Sequence, residues 1–414
     1  MRESAEPAPA GGRATARPAL LVTTLLVAAN LRVAVASVPP LLLDIRHALG
    51  LSLIEAALLT SAPLLCFGLL APLGAAAVRR FGLRSALAIA LVVLTLGLAL
   101  RLGPSVPTLF AGTVLAGAGV AMANVLLPAL VKDAFGARLG LATGLYTTAM
   151  GLAAALAAGL SAPLAGLSAL GWRLGLGVWL VPCACALAAW LRVGAAAPAL
   201  PPARAKTGGA GPSWRAAAAD PVAVGLTLFM GLQSVGYYAL LSWLPALFES
   251  HGLSAIQGGL LLSVQGLVGM PFGLLLPALV HRLRDARPLV AAVSGLTLVG
   301  LLGLALAPML SPLLWVVVVG VGQGATFPLA LTLIGLRSRG GEATALLSTF
   351  VQSGGYVLAT VGPLALALLR QWSGGWAVPF GALAALTLVQ TAAGVGAARR
   401  RYAFGAELGD AAAL

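Results

Sequence analysis

Stretches of about twenty predominantly apolar residues follow one another almost end to end through this chain, and no other feature restricts its folding as strongly. Of its 414 residues 60% are hydrophobic and only 9% are charged, which places the chain in lipid rather than water. Lipid offers no hydrogen bonds, so each spanning segment must satisfy its own backbone, as a helix does. A β-barrel would instead show short alternating segments, whereas the runs here are long, continuous and rich in Leu, Ala and Gly. The expected fold class is therefore all-α and integral to a membrane.

Spans are predicted near residues 18–42, 53–77, 85–102, 106–130, 140–165 and 172–191, and again near 221–247, 255–279, 288–308, 312–335, 343–369 and 376–397. The expected organisation is an N-terminal segment 1–17, a six-helix half 18–191, a linker 192–220 rich in Ala, Pro and Gly, a second half 221–397 and a tail 398–414. Orientation follows from the basic residues, which mark the cytoplasmic side. Arg2, Arg13, Arg17, Arg79, Arg80, Arg84, Lys132, Arg138, the linker's four cations, Arg282, Arg284, Arg287, Arg337, Arg339 and Arg399 to Arg401 fall on one side. Arg46, Arg101, Arg173 and Arg370 fall on the other, and Arg32 alone lies within a span. Both termini are thus expected inside the cell, in an inner membrane. The net charge of +14 is spread between spans rather than gathered on one surface, which excludes nucleic acid as a partner. A cleaved leader ending at Ala34-Val35-Ala36 would leave eleven helices, but Asn30 and Arg32 interrupt the apolar run and the run continues past that point.

The two halves match in order. Gly50-Leu51-Ser52 corresponds to Gly252-Leu253-Ser254, Phe67-Gly68-Leu69-Leu70 to Phe272-Gly273-Leu274-Leu275, and Pro40 to Pro245. Pro128 pairs with Pro328, Pro163 with Pro363 and Trp172 with Trp376. Parallel repeats of this kind are related by an axis along the membrane normal and bind solute between them near the bilayer midplane.

Arg32 is the most informative residue, because a cation at the bilayer centre costs about 2.5–3.5 kcal/mol on insertion scales. Every Asp and Glu falls near a span end or in a loop, so no carboxylate is an obvious partner, and a free guanidinium fork suits an anion. Snorkelling to the outer face is the competing structural role. The repeat aligns Arg32 with Tyr237, and these two are expected to face each other across the cavity in preference to Asn30 and Tyr238. Further binding candidates are Asn30, Asn124, Tyr146, Gln233, Gln265, Gln323 and Gln352, each of which could equally serve as an interhelical hydrogen bond. The Gly-Pro pair at Gly362-Pro363 predicts a bend in helix 11.

The three histidines fall at loops or membrane edges, with no metalloprotease or catalytic-triad pattern and no phosphate-binding Gly-rich loop ending in Lys-Ser or Lys-Thr. No enzymatic activity, metal or cofactor is expected, and Cys66, Cys183 and Cys185 are read as packing residues. The segment Asn30-Leu31-Arg32, the loop Arg79-Arg80-Phe81-Gly82-Leu83-Arg84, Gly144-Leu145-Tyr146-Thr147-Thr148 and above all the stretch from Gly322 to Gly335 resemble the cyanate and nitroimidazole permease (CynX/NimT) branch of the major facilitator superfamily. That resemblance runs over nearly the whole chain and implies twelve helices and secondary transport by alternating access. Arg79 stands where the superfamily loop carries an Asp, which removes the Asp of its usual gating salt bridge. Asn30 and Arg32 match the family segment and carry over as binding candidates. The expected partners are a small polar or anionic solute, the lipid bilayer and a coupling ion such as the proton. Multidrug efflux is the alternative within transport, and the missing buried carboxylate weighs against it; a non-transporting receptor would need a signalling domain absent from this sequence.

Overall fold

A computed structural model describes residues 11–135, 139–193, 213–283, 285–339, 341–399 and 401–405. The first half contains α1 (Gly11–Ala36), a 3-10 turn at Pro39–Leu41, α2 (Leu42–Leu49), α3 (Leu53–Leu69), α4 (Ala71–Leu100), α5 (Val106–Phe135), α6 (Leu139–Ala165), α7 (Trp172–Gly177) and α8 (Leu180–Val193). The second contains α9 (Trp214–Ala219), α10 (Pro221–Glu249), α11 (Ala255–Gly269), α12 (Phe272–Arg282), α13 (Arg287–Leu306), α14 (Pro312–Leu336), α15 (Gly341–Ala359), α16 (Val361–Ser373) and α17 (Ala377–Ala397). Among the described residues ten helical spans are long and apolar enough to cross a membrane, and the shorter apolar helices Leu53–Leu69 and Ala255–Gly269 begin two more crossings. Positions 194–212 of the expected linker lie outside the described residues, as do Arg2, Arg138, Arg284 and Arg400.

Several spans depart from the simple cylinders of the sequence reading. Helix 1 was expected to run unbroken to residue 42, but α1 stops at Ala36 because Pro39 and Pro40 have no N–H to continue the ladder, and the 3-10 turn redirects the chain into α2. The expected loop Arg79–Arg84 is a tight break: α4, Ala71–Leu100, consists of two helical stretches that meet at Gly82, whose φ of 77° and ψ of 162° are non-helical and whose positive φ no other residue type adopts easily. Helix 11 breaks at Thr360, between α15 and α16, three residues before Pro363. Pro363 cannot donate back along the helix, so the bend foreseen at Gly362-Pro363 appears one turn upstream.

The repeat is visible in backbone detail. Gly50 and Gly252 both have positive φ, and each is followed by a capping box, Ser52 with Glu55 and Ser254 with Gln257. Ser52 Oγ accepts from the Glu55 N–H at 3.2 Å while the Ser52 N–H donates to Glu55 at 2.8 Å, and the second box has the same form. One expected match is out of register. Phe67 lies in α3 before the break at Leu70, whereas Phe272 opens α12 after the break at Met270, so the two are not equivalent positions.

Packing repeats as well. Within the halves α1 lies along α6 as α10 lies along α15, and α4 pairs with α5 as α13 pairs with α14. Between the halves α6 meets α11 and, related by the same pseudo-twofold, α15 meets α3. These inter-half contacts include Ser263 Oγ donating to the Ala155 carbonyl at 2.7 Å and Ser61 Oγ donating to the Thr360 carbonyl at 3.1 Å. A side chain at Gly259 would meet Ala158 and Pro40, so the backbones there are nearly in contact. The described contacts between halves concentrate away from the end that carries Arg79, Arg84, Lys132 and Arg282, here termed the basic end. At the basic end the tail folds back: Arg337 donates to the carbonyls of Ala397 and Ala398, and the Phe404 N–H donates to Asp220 Oδ2 at 2.7 Å. The other oxygen of Asp220 caps α10 through Val222 and Ala223.

Candidate solute site between the halves

Arg32 lies one turn before the end of α1, on the side that faces the second half. Its Nη1 donates across the interface to the Tyr238 hydroxyl of α10 at 3.0 Å, and the hydroxyls of Tyr237 and Tyr356 stand beside the same guanidinium. Tyr356 comes from α15, where its ring packs edge-on against Phe67 of α3, with centroids 5.7 Å apart. Tyr237 and Tyr238 also pack edge to face, at 5.1 Å. The result is one cation among three phenols and a phenyl ring, drawn from four helices of both halves. Among the described residues no carboxylate stands against Arg32; the ion pair Arg287–Asp285 lies at the basic end.

This arrangement modifies the expected pairing. Tyr237 is beside Arg32 as anticipated, but the hydroxyl that receives the hydrogen bond belongs to Tyr238. Adjacent residues leave a helix about 100° apart, yet a tyrosine is long enough for two neighbours to bracket one target from either side. Arg32, Tyr237 and Tyr356 are half-buried while Tyr238 is buried, so part of the guanidinium surface remains open to a solute. A hydrogen bond from a charged donor is worth about 1.5–3 kcal/mol, enough to hold the fork in place without consuming its other donors.

Asn30 is not part of this cluster. It is 1% exposed, and its amide donates to the Leu26 carbonyl of its own helix and to the Pro182 carbonyl of α8 at 3.1 Å. Two residues from Arg32, it points the opposite way and ties α1 to α8 through the Pro182 carbonyl. Gln233 and Gln323 satisfy each other between α10 and α14 at 3.1 Å, with Ser234 donating to Gln233. A Cβ on Gly236 would meet the Gln323 amide at 2.8 Å, so this pair lies directly beneath the tyrosines. Gln352 donates to Ser348 within α15, and Gln265 is buried where α11 meets α14 at Gly320. Asn124 and Tyr146 are half-buried, with Tyr146 packed on the core. The polar residues outside the cluster thus divide between interhelical bonds and half-buried positions, and only Arg32 and the tyrosines converge. Tyr356 was missed because nothing in the sequence aligns it with Arg32, although three of the chain's five tyrosines gather at this one cation.

The profile of the Major Facilitator Superfamily matches residues 20–360, which is most of the chain. The chain belongs to the major facilitator superfamily. Among relatives of this superfamily member, the 2-nitroimidazole transporter of Escherichia coli (strain K12) is 37% identical over 390 residues, covering 92% of this chain and 96% of that protein. The cyanate transport protein CynX of the same organism is 32% identical over 363 residues, covering 86% and 91%. The crystal structure of a D-xylose-proton symporter has the same fold, with a TM-score of 0.75 at 15% identity over 90% of this chain and 96% of that one. The permease branch expected from the helix 10 segment is therefore the branch to which the chain is similar, and it is a multi-pass membrane transporter.

Proposed function

We propose that this superfamily member is a secondary transporter that carries a small, polar or anionic, electron-rich solute by alternating access, with the basic end and both termini in the cytoplasm. The observation that carries this reading is the guanidinium of Arg32, held by Tyr238 across the boundary between the halves with no opposing carboxylate among the described residues. A cation without a counter-ion in a low-dielectric setting attracts negative charge, and the fork presents paired N–H groups to planar oxyanion, cyanate-like or nitro groups. Tyr237, Tyr356 and Phe67 add ring faces and hydroxyls suited to a flat solute. Contact between the halves concentrated at one end leaves the basic end as the direction of access, and a rocking motion that parts the α6–α11 and α3–α15 contacts while closing the basic end would reverse it. The relatives named for nitroimidazole and cyanate transport support the same solute chemistry.

The test is uptake of radiolabelled cyanate, and separately of 2-nitroimidazole, into proteoliposomes holding the wild type or Arg32→Gln, with and without an imposed pH gradient. Saturable uptake that disappears in Arg32→Gln while the protein stays monodisperse is the expected result, and its response to the gradient decides proton coupling. Undiminished uptake by the variant would remove Arg32 from the site.

A further inference from the structure

At the end of the bundle opposite the basic loops, a cavity of ≈ 330 Å³ opens between the halves, apart from the Arg32 cluster. It is lined by Arg46 of α2 and Leu53 of α3 from the first half, and by Trp243, Ser250, Arg370 and Trp376 from the second. Its size falls in the range of about 300–1,000 Å³ typical of small-molecule sites. Two guanidiniums, one from each half, thus border one cavity, and neither forms an ion pair among the described residues. Arg46 spends only its Nε, on the Leu51 carbonyl at 3.1 Å. Arg370 lies over the Trp376 ring at 5.3 Å, a contact that leaves its N–H groups unspent.

Trp376 and Trp243 form the aromatic wall of the cavity. Trp376 is 7% exposed, and its indole N–H finds no acceptor among the described residues. The neighbouring Trp243, 5.8 Å away between ring centroids, spends its own N–H on the Pro363 carbonyl at 2.9 Å. The Trp376 nitrogen is itself enclosed, so what Trp376 offers the cavity is its ring face. Arg46 and Arg370 each occupy the last turn of a helix, where a cation complements the helix dipole. That role accounts for Arg46 Nε but not for the stacked Arg370. Asp44 and Glu249 belong to the same end of the bundle but do not line the cavity.

We propose that this cavity is a second oxyanion site, built from Arg46 and Arg370 and taking a small planar carboxylate against the two indole rings. As a station on the solute's route at the face opposite the basic loops, it rests on the transporter reading; as a binding site it stands alone. The phosphate of an anionic lipid headgroup has the same donor requirements, and the test separates the two sources. Full-length protein carrying Arg32→Gln, which removes the central cation, is placed in phosphatidylcholine nanodiscs and titrated with radiolabelled 4-hydroxybenzoate by equilibrium dialysis. Saturable binding is expected to persist, to weaken about tenfold on adding Arg370→Gln or Arg46→Gln, and to return in part with Arg370→Lys. Elution profile and melting midpoint identify any variant that has unfolded, and the Lys variant then carries the comparison.

Discs containing phosphatidylglycerol distinguish the occupants. Undiminished 4-hydroxybenzoate binding in them assigns the site to soluble anions. Competition that depends on Arg46 and Arg370 assigns it to a headgroup, and the oxyanion site stands in either case. Absence of saturable binding in Arg32→Gln, or equal binding after both arginines are changed to Gln, overturns the proposal. Since the readout is binding, failure of uptake in proteoliposomes would sink the transporter reading without touching this site.

Discussion

A single side chain, Arg32, distinguishes α1 from a membrane-embedded helix of ordinary composition, and the solute-binding role proposed above rests on it. Its energetic cost in the membrane is offset by the Tyr238 hydroxyl and by the phenols beside it rather than by a carboxylate. Arg32→Lys keeps the charge but loses the planar fork, so transport should fall at least about tenfold while the protein remains folded, as initial uptake rates would measure. Tyr238→Phe removes the acceptor that positions Nη1 and keeps the ring. An increase in KM of about tenfold with a nearly unchanged melting midpoint is expected, because a charge-assisted bond of about 1.5–3 kcal/mol is lost at the site. Equal KM values in kinetic uptake would show that Tyr238 does not orient the guanidinium. Asn30 should behave oppositely: Asn30→Ala frees the Pro182 carbonyl from its donor and lowers stability by about 1–3 kcal/mol, and a solute affinity changed more than stability in the same variant would return it to the site.

At the scale of elements, the helices are shaped by where their backbones cannot continue and by how closely they approach. The break after Ala36 leaves the last carbonyls of α1 without helical donors, and Arg101, only 1% exposed at the end of α4, donates to the Ala34 carbonyl at 2.6 Å. The sequence placed Arg101 at an outer helix end, and only the tertiary structure turns that cation inward, onto the Ala34 carbonyl. α11 and α14 touch backbone to backbone, where a Cβ on Gly269 would meet Gly324 Cα at 2.9 Å. Gly324→Leu would force these helices apart, and destabilisation of about 1–3 kcal/mol is expected, read as a lower melting midpoint in detergent. A melting midpoint equal to that of the wild type would show that the two helices separate without cost.

For the whole molecule, the rocking proposed above makes a prediction about the contact between halves. With the native cysteines replaced, cysteines introduced at Ala155 and Ser263, whose Ser263 Oγ to Ala155 carbonyl distance is 2.7 Å, should be joined by a short bifunctional reagent and stop uptake. A cleavable reagent should restore uptake after reduction, and full activity in the crosslinked protein would refute a motion that parts the halves at this contact. Much of this architecture was legible beforehand, because hydrophobic length, Lys and Arg placement and paired Gly-Leu-Ser signals are local and survive in any one stretch of chain. The capping boxes at Ser52 and Ser254 follow from those signals directly. Residue roles were less legible, since a polar side chain in a span reads the same whether it faces a neighbour or a cavity. Asn30 and Arg32, two residues apart, look alike as intramembrane polar groups, and the directions of their side chains on α1 give one to α8 and the other to α10. The amino-acid sequence by itself thus determined that the chain is an all-helical membrane protein of the major facilitator fold, because the bilayer admits few other solutions. Which polar groups meet was decided only by the tertiary structure: Tyr356 reaches Arg32 through the packing of α15 against α3, a contact between residues hundreds of positions apart that no local pattern encodes.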